Sequence, residues 1–441
     1  MGQITTIKLK LKEPVDLGVF QRKYANVVRY AFNRGMEGMS KYDIFKLLNN
    51  LKNLDELDLT WRREAAKLGY SIALSAKKLG KTVIFGGRKN FFDRLKGKIS
   101  REEFLSSKKL LPIKCEGSKA DTNGNRKFKF DINTLSGSVK LDGRKVEFSC
   151  HKTNRKNMEM LAVLQEKAIN KEVGITYQIS NEYFYVSFDL ENLPEEVKYE
   201  KDKDSTLAID INPNYIGLSI VRNDEVILRR CYDLSKIKGR NKKKFELTQI
   251  AIAIKHLCID YKVSAVGIEK LTMAPSNKGK GRRFNKMVNN DWCRDYFFNS
   301  LRKHLALIRC QVIEILPQYS SFIGCIMYPD ETDSIAASIE LNRRLRKFKE
   351  IYIDKTGIKG DSVVYPEYKE EYLNRWKKEG ISISEDKGWQ TVYQWFKESK
   401  HSYRLLYNDF LKRGKCAVSR LNSVKSKVTY VNLCNKIALI N

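Results

Sequence analysis

Apolar positions along the chain change their spacing several times, and the first change comes near residue 17. Residues 3–12 alternate polar and apolar side chains, which predicts a half-buried strand. From about Leu17 to Lys109 the apolar residues recur every three or four positions, as in amphipathic helices. Ser100 followed by Glu103 matches a capping box at one helix start. The first part of the chain therefore predicts a strand followed by a helical block.

From Leu110 the pattern becomes that of strands, grouped around short turns. The predicted strands are residues 127–132, 138–141, 144–148, 174–179 and 184–190. Asp142-Gly143 and Ser180–Tyr183 each separate two of these runs, which indicates two hairpins. Together with residues 3–12, the strands predict a small β-barrel into which the helical block is inserted.

A charged linker, residues 195–204, precedes a region in which strands and helices alternate. Its first apolar run, residues 207–209, ends in Asp210, and a second run follows the turn Asn212-Pro213-Asn214. The predicted elements are strands at 207–209, 216–221, 225–232, 264–269 and 311–316, and helices at 246–260, at about 289–307 and from Asp333. This alternation predicts a mixed α/β domain, followed by about 90 mainly helical residues.

The charge of the chain narrows the class of partner. Among 441 residues, 83 Lys and Arg oppose 52 Asp and Glu, a formal net charge of +31. Such an excess favours a polyanion, and nucleic acid is the leading candidate over an anionic membrane surface. No apolar run approaches the roughly 20 residues of a spanning helix, so we expect a soluble, cytoplasmic protein without a membrane partner.

The cysteines predict neither a disulfide framework nor a zinc site. There are nine, widely scattered, and none forms a CxxC pair. With only four histidines, no pair has the spacing of zinc ligands. We expect reduced, mostly buried thiols.

Three acids stand at the ends of predicted elements and suggest a metal site. Asp210 and Glu269 end apolar strands, and Asp333 begins a helix. Taken singly, they could be a turn acid, a capped strand end and a helix N-cap. Brought together in a polycationic protein, they suit two Mg²⁺ ions, which prefer oxygen ligands and can promote phosphodiester hydrolysis.

The order of four motifs resembles the split RuvC nuclease domain of transposon-encoded TnpB proteins and miniature type V CRISPR effectors. The motifs are LAIDINPNYIGLSI, VGIEKL, QYSS and DSIAASI. Upstream, a strand, a helical block and strands ending in YQISNEYFYVSFDLE resemble the wedge and recognition domains of that family. The resemblance covers roughly residues 1–350.

The resemblance implies a domain plan and a function. Residues 1–16 and 110–198 would form a wedge-like β-barrel, residues 17–109 a helical recognition block, and residues 205–350 a ribonuclease H-like (RuvC) domain. Residues 351–441 would be a helical region of unclear role. Asp210, Glu269 and Asp333 would be the catalytic, metal-binding acids, and a bound guide RNA would direct cleavage of target DNA by base pairing.

The chain departs from the family in two places. Relatives carry a four-cysteine zinc ribbon before the third acid, whereas residues 322–332 here contain only Cys325, so no zinc is expected. The first motif reads DINPNYIG rather than the commoner DLG, and Asn212 either touches a metal ligand or forms the turn. Asp330 is a rival for the third acid, but only Asp333 has the following Ala-Ala pair in register.

Basic and aromatic residues supply candidates for nucleic-acid contact. The basic candidates are Lys278, Lys280, Arg282 and Arg283 in a Gly-rich loop, and Arg22 and Arg29 in the helical block. The Tyr and Trp residues of 365–396 either stack bases or form a helical core. Two other functions stay open: an RNA-guided repressor that does not cleave, and a guide-independent resolvase or transposase. Monomer and homodimer are both compatible with the sequence.

Overall fold

A computed structural model divides the chain into two compact units, Met1–Pro194 and Glu195–Asn441. The described residues are 3–50, 57–80, 82–108, 111–141, 143–270, 292–328, 331–348 and 388–398, with the single positions 366, 370, 374 and 377. In this part of the chain no helix combines the length and the apolar character needed to cross a membrane. Each unit is described by itself below.

The described residues of the first unit form two antiparallel sheets and six α-helices. Its strands are β1 (Ile4–Lys10), β2 (Ile113–Cys115), β3 (Phe128–Asp131), β4 (Ser136–Leu141), β5 (Arg144–Ser149), β6 (Thr176–Ile179) and β7 (Tyr183–Asp189). Its helices are α1 (Gly18–Met36), α2 (Lys41–Asn50), α3 (Leu59–Leu79), α4 (Arg88–Leu95), α5 (Arg101–Ser107) and α6 (Arg155–Ile169). One sheet has the order β1-β7-β6-β2 and the other β3-β4-β5.

The closed barrel expected from the sequence is not formed by the described residues. The two sheets are separate, and a single isolated bridge between Leu11 and Cys150 joins the end of β1 to the end of β5. The short strand β2 has three residues and pairs only with β6 in the described ladder. The unit is therefore two open sheets packed on a common aromatic core, in which Phe128 and Phe184 lie 6.0 Å apart.

The helical block packs directly on these sheets, and Trp61 of α3 lies at the centre of one such contact. Trp61 of α3 is fully buried and its indole Nε1–H donates to the carbonyl of Lys140 in β4 at 3.0 Å. Its ring meets Phe128 edge-on, with centroids 6.1 Å apart. The predicted capping box is confirmed, because Ser100 accepts from the Glu103 N–H and the Glu103 carboxylate accepts from the Ser100 N–H.

Helix α6 was not expected among the strands of this region. Asn154 caps it by accepting from the Asn157 N–H at 2.9 Å. Leu161, Leu164 and Ala168 recur at helical spacing and are buried. The helical signal is therefore present in the sequence, but it is short and surrounded by strand patterns.

The second unit is a mixed α/β domain, as the sequence predicts. Its strands are β8 (Asp202–Ile211), β9 (Tyr215–Arg222), β10 (Glu225–Asp233), β11 (Val263–Glu269) and β12 (Gln311–Ile315). Its helices are α7 (Arg240–Asp260), α8 (Arg294–Ala306), α9 (Ser320–Met327), α10 (Asp333–Phe348) and α11 (Trp389–Glu398). The sheet has the order β10-β9-β8-β11-β12, with β8, β11 and β12 parallel and β9 antiparallel to both neighbours.

The two faces of this sheet are buried against different helices. Successive side chains of a strand point to opposite faces. Leu207 and Ile209 of β8 join the core formed with α7 and α8, whereas Ala208 packs with Leu341 and Leu345 of α10. Both faces being covered explains the continuous apolar runs that the sequence shows for β8, β9 and β11.

Helix α10 lies unusually close to the sheet at its first turn. A Cβ placed on Gly217 of β9 would come within 2.2 Å of the backbone oxygen of Ser334. In the same way, a Cβ on Gly324 of α9 would lie 2.5 Å from the oxygen of Ala336. Glycine at both positions is what allows the start of α10 to reach the sheet.

A second attachment holds α10 farther along. The Asn342 amide is fully buried, donates to the carbonyls of Thr206 and Ser219 at 3.0 Å each, and accepts from the Thr206 hydroxyl at 2.6 Å. Because a buried amide left without partners is costly, these bonds favour one register of the helix on strands β8 and β9.

We expect Gly217→Ala to lower the free energy of unfolding by about 1–3 kcal/mol, the usual cost of overpacking. Gly388→Ala is the control, since nothing lies within 4 Å of a Cβ built there. Urea unfolding gives the free energies, and hydrogen exchange should show faster exchange in α10 for the Gly217 variant alone. Equal stability of the two variants would contradict the close approach.

Candidate active site

Two of the three predicted acids lie side by side at one edge of the sheet. Ile209 of β8 is paired with Ile268 of β11, so the next residues, Asp210 and Glu269, come together at the same end of two parallel strands. Both are buried, with 3% and 7% of their surface exposed. The strand pairing alone therefore brings two carboxyl groups into one desolvated place.

These two carboxyl groups share a hydrogen bond, and a bond of this kind requires a proton. Burial raises the pKa of Asp210 well above its ordinary value, and the charges of Glu269 and Asp333 raise it further. Burial also raises the pKa of Glu269 to about 7, although the backbone N–H of Ile211 and the hydrogen bond from Asp210 act in the opposite direction. The pair therefore holds a proton near neutral pH when no cation is bound.

The third acid is brought to the pair by the close docking of α10. Asp333 is the first residue of that helix, and Ser334 beside it lies against Gly217, the strand partner of Asp210. The Cys325 thiol of α9 donates to Asp333 Oδ1 at 3.4 Å. Asp333 is exposed as a residue, but desolvation of its carboxyl group raises its pKa, and this hydrogen bond partly offsets the effect.

Asn212 contacts the first acid and also belongs to the turn, so both alternatives left by the sequence apply. Its backbone N–H donates to Tyr215 at 2.8 Å, which closes the turn between β8 and β9. Its side-chain Nδ2 donates to Asp210 Oδ2 at 2.6 Å and to Ser334 Oγ at 3.1 Å. One amide thus joins the first acid to the start of the helix that carries the third.

Two arginines place positive charge near the acids, and the sequence analysis missed both. The charges of Arg294 and Arg344 act to lower the pKa of Glu269. Arg344 is buried and its guanidinium donates to Glu340 at 2.7 Å and to the carbonyl of Leu316 at 2.8 Å. The available signal was helical spacing, because residue 344 lies eleven positions, about three turns, after Asp333.

The donor chemistry of this cluster fits a hard divalent cation. Carboxylate oxygens are the preferred ligands of Mg²⁺, and a cation can take the place of the proton between Asp210 and Glu269. Among the described residues no group of three or more His, Cys, Asp and Glu side chains is already arranged to hold a metal ion. The three acids therefore suit Mg²⁺ in the type of their donor atoms and in their charge, and not through an arrangement already formed around an ion.

The remaining predicted site residues lie elsewhere or outside the described residues. Arg29 is half-buried and its guanidinium donates to the carbonyl of Lys108 at 2.5 Å, which is a structural contact within the first unit, whereas Arg22 is exposed. Lys278, Lys280, Arg282, Arg283 and the rival acid Asp330 lie outside the described ranges.

Two of the Tyr and Trp residues of 365–396 pack inside the protein, which favours a role in a helical core over base stacking. Trp389 is buried, and its ring lies 6.2 Å from that of Phe322. Tyr393 packs on Tyr319 and Phe322, with centroids 4.6 Å and 5.2 Å away.

The seven described cysteines are free thiols, four of them buried.

Comparisons with known proteins give only distant structural similarity. No protein-family model and no curated protein sequence matches this chain. A Cas12f1–sgRNA–target DNA complex aligns over 77% of this chain and 98% of its own, with a TM-score of 0.38 and 11% identity. A CRISPR-Cas12f ternary complex covers 73% and 80%, with a TM-score of 0.26 and 10% identity.

Thermus thermophilus RuvC bound to a Holliday junction covers 33% of this chain and 96% of its own, with a TM-score of 0.26 and 9% identity. All of these TM-scores are below 0.5, so the similarities establish neither the fold nor the activity of this chain. The functional assignment has to come from the site itself.

The raised pKa values predict that, without divalent cations, the folded protein loses stability as the pH rises. Folding favours the protonated carboxyls, so their contribution is full below about pH 4 and is lost as the pH passes about 7. Asp210→Asn should lose less stability between pH 5.5 and 8 than the wild type, by up to about 3 kcal/mol at 1.36 kcal/mol per pKa unit.

Thermal unfolding at several pH values in EDTA measures this difference. Asp224→Asn is the matched control, because Asp224 is an exposed acid in the turn at the opposite end of β9, paired with Arg346. If Asp210→Asn and Asp224→Asn follow the same pH profile, the carboxyl cluster does not carry the effect.

Proposed function

We propose that this protein is a Mg²⁺-dependent endonuclease that hydrolyses phosphodiester bonds of DNA. The observation that carries the proposal is that Asp210 and Glu269, which are buried, and Asp333, which is exposed, lie near one another at one edge of the sheet. They come from three segments far apart in sequence, and a buried group of acids is unfavourable unless a cation or protons compensate it. A structural role would not need a third acid beside a pair that already shares a proton.

The residues of this chain would hold and orient the acids for metal binding. Asp210 and Glu269 offer oxygen ligands once their shared proton leaves, and Asp333 adds a third carboxylate. Asn212 fixes the orientation of the Asp210 carboxyl through its 2.6 Å hydrogen bond. Two bound Mg²⁺ ions would activate a water molecule and stabilise the leaving oxygen of an in-line displacement.

Guide RNA and target DNA are the partners that agree best with charge and motif order. A net charge of +31 attracts phosphate backbones strongly. The four motifs that resemble the TnpB and miniature type V effector family occur in the family's order, and in that family RNA base pairing selects the DNA. The wedge-like, helical recognition and RuvC-like segments (1–16 with 110–198, 17–109 and 205–350) are part of this proposal.

We expect Asp210→Ala to abolish Mg²⁺-dependent DNA cleavage and to leave RNA binding intact, because it removes a metal ligand and no basic contact. The assay uses the full chain loaded with its co-purified RNA and a DNA target matching that RNA, with Asp224→Asn as the control that should cleave normally. Full cleavage by Asp210→Ala would show that the acid cluster is not the active site.

The same preparation distinguishes the two other functions. A chain that binds DNA through RNA but never cleaves would be a repressor. Cleavage without any co-purified RNA would indicate a resolvase- or transposase-type nuclease. Sequencing the RNA that co-purifies from cells carrying the native flanking DNA separates these outcomes.

We also expect the purified protein to carry less than one zinc per chain. The segment before Asp333 offers a single cysteine, and the thiol of Cys325 is engaged with the Asp333 carboxylate. Elemental analysis after purification without chelators measures the metal content. One tightly held zinc per chain would show that ligands from elsewhere build a zinc site.

A further inference from the structure

The four-stranded sheet of the first unit has one buried face and one mainly polar face whose residues are half-buried on β2, β6 and β7 and exposed on β1. Along β7, Phe184, Val186 and Phe188 are buried. The alternate residues Tyr183 and Tyr185 point to the other face, with ring centroids 6.3 Å apart. Two tyrosine rings in succession on a solvent-facing strand are not needed for the core, which the opposite face already supplies.

Lysines surround these rings. Lys8 Nζ of the paired strand β1 lies 3.5 Å from the centre of the Tyr183 ring and 5.9 Å from that of Tyr185. Lys10 is the strand partner of Tyr183 and is exposed. Across the sheet, Gln178 is paired with Tyr185 and also with Lys114.

The remaining groups of this face include hydroxyls, two acids and, at the far end of β1, the exposed side chain of Ile4. Thr6 and Ser187 share a hydroxyl–hydroxyl hydrogen bond of 2.8 Å beside the rings. Glu116 is paired with Lys114 at 3.2 Å, and Asp189 lies at the far end of β7. The centre of the face, around Lys8, Lys10 and the two tyrosines, therefore combines aromatic rings with positive charge and contains no acid among its paired residues.

We propose that this face, called here the tyrosine face (Lys8, Lys10, Gln178, Tyr183 and Tyr185), binds single-stranded RNA by stacking one base on each ring. Aromatic side chains on an open sheet, with lysines for the phosphates, are the general means by which sheets hold unpaired nucleotides. A duplex is a poor fit, because its bases are already stacked on one another inside the helix.

The energies favour a base over the present lysine contact. Stacking a base on an aromatic side chain contributes more free energy than an exposed cation–π pair does. A base can therefore displace Lys8 from the Tyr183 ring, and the released ammonium group remains close enough for a neighbouring phosphate. In the free protein, Lys8 would keep the ring in place.

This inference takes its probe from the proposed function, in which RNA is the partner, but its site is formed by residues of the first unit, whereas the acids belong to the second. Binding is measured without Mg²⁺ and without DNA, so it does not depend on cleavage. Failure of cleavage and failure of binding at the tyrosine face are thus separate results.

The test compares an oligouridylate of about eight nucleotides with an abasic strand of the same length, by fluorescence anisotropy at about 0.3 M KCl, where phosphate contacts are weakened. For wild type, the strand with bases should bind at least tenfold more tightly. In the Tyr183→Ala/Tyr185→Ala double variant, this ratio should fall by about tenfold or more, since neither ring remains for a base to stack on.

Tyr42→Ala is the matched control. Tyr42 is an exposed tyrosine on α2 with Lys46 lying 4.7 Å from its ring centre, so it presents the same pair of groups outside the proposed face. The ratio should stay at the wild-type value in this variant. Tyr183→Phe/Tyr185→Phe should also keep it, because phenylalanine stacks equally well, and circular dichroism checks that each variant is folded.

The lysines have their own readout. Lys8→Gln/Lys10→Gln should weaken the binding of both strands alike and reduce the slope of log K against log[salt] by about 1.4, or roughly 0.7 for each phosphate that is no longer neutralised. An unchanged base-to-abasic ratio in a folded tyrosine double variant would overturn the proposal. It would show that the oligonucleotide binds through other surfaces of this basic chain.

Discussion

Two buried carboxyl groups, Asp210 and Glu269, and the exposed carboxyl group of Asp333 repel one another at one edge of the five-stranded sheet, and much of the second unit serves to hold them together. The proton shared by Asp210 and Glu269, and the positive fields of Arg294 and Arg344, reduce this repulsion without removing it. A cation bound at the cluster would offset the remaining repulsion between the carboxylates. It would also stabilise the folded chain, because it binds the folded chain and not the unfolded one. Cation binding and stability of the second unit are therefore linked.

Helix α10, which carries Asp333, is attached to the sheet at two points. The distance between these points along the helix equals the distance between their partners along strand β8. From Thr206 to Asp210 the strand rises by about 13–14 Å. From Asn342 to Asp333 the helix rises by about 13.5 Å. The hydrogen bonds between Asn342 and Thr206 therefore place Asp333, at the start of α10, beside Asp210, at the end of β8. This placement also requires glycine at position 217, because the first turn of α10 packs directly against it. The register of one buried amide fixes the position of a carboxyl group about two and a half turns away.

The sequence predicts the three acids because each stands where a buried apolar run ends or a helix begins, which is a local pattern, and their role as metal ligands stays a prediction. The mixed α/β character of the second unit followed from the same patterns. Asn342, Cys325 and Arg344 could not be found in this way, since their roles depend on segments that meet only in the folded chain. The closed barrel was wrong for a related reason, because strand patterns predict strands but not which sheet each strand joins.

Charge alone cannot explain how such a chain would select its nucleic acid. A net charge of +31 attracts every phosphate backbone, whereas the acid cluster without cations repels it. In the proposed function, bound cations would reverse the sign of the charge at the site, so DNA would approach the acids only when the metal is present. Discrimination between strands then has to come from contacts that are not electrostatic. The rings of Tyr183 and Tyr185 can make such contacts only with unpaired bases, which is the distinction that an RNA-guided enzyme requires between its guide and a closed duplex.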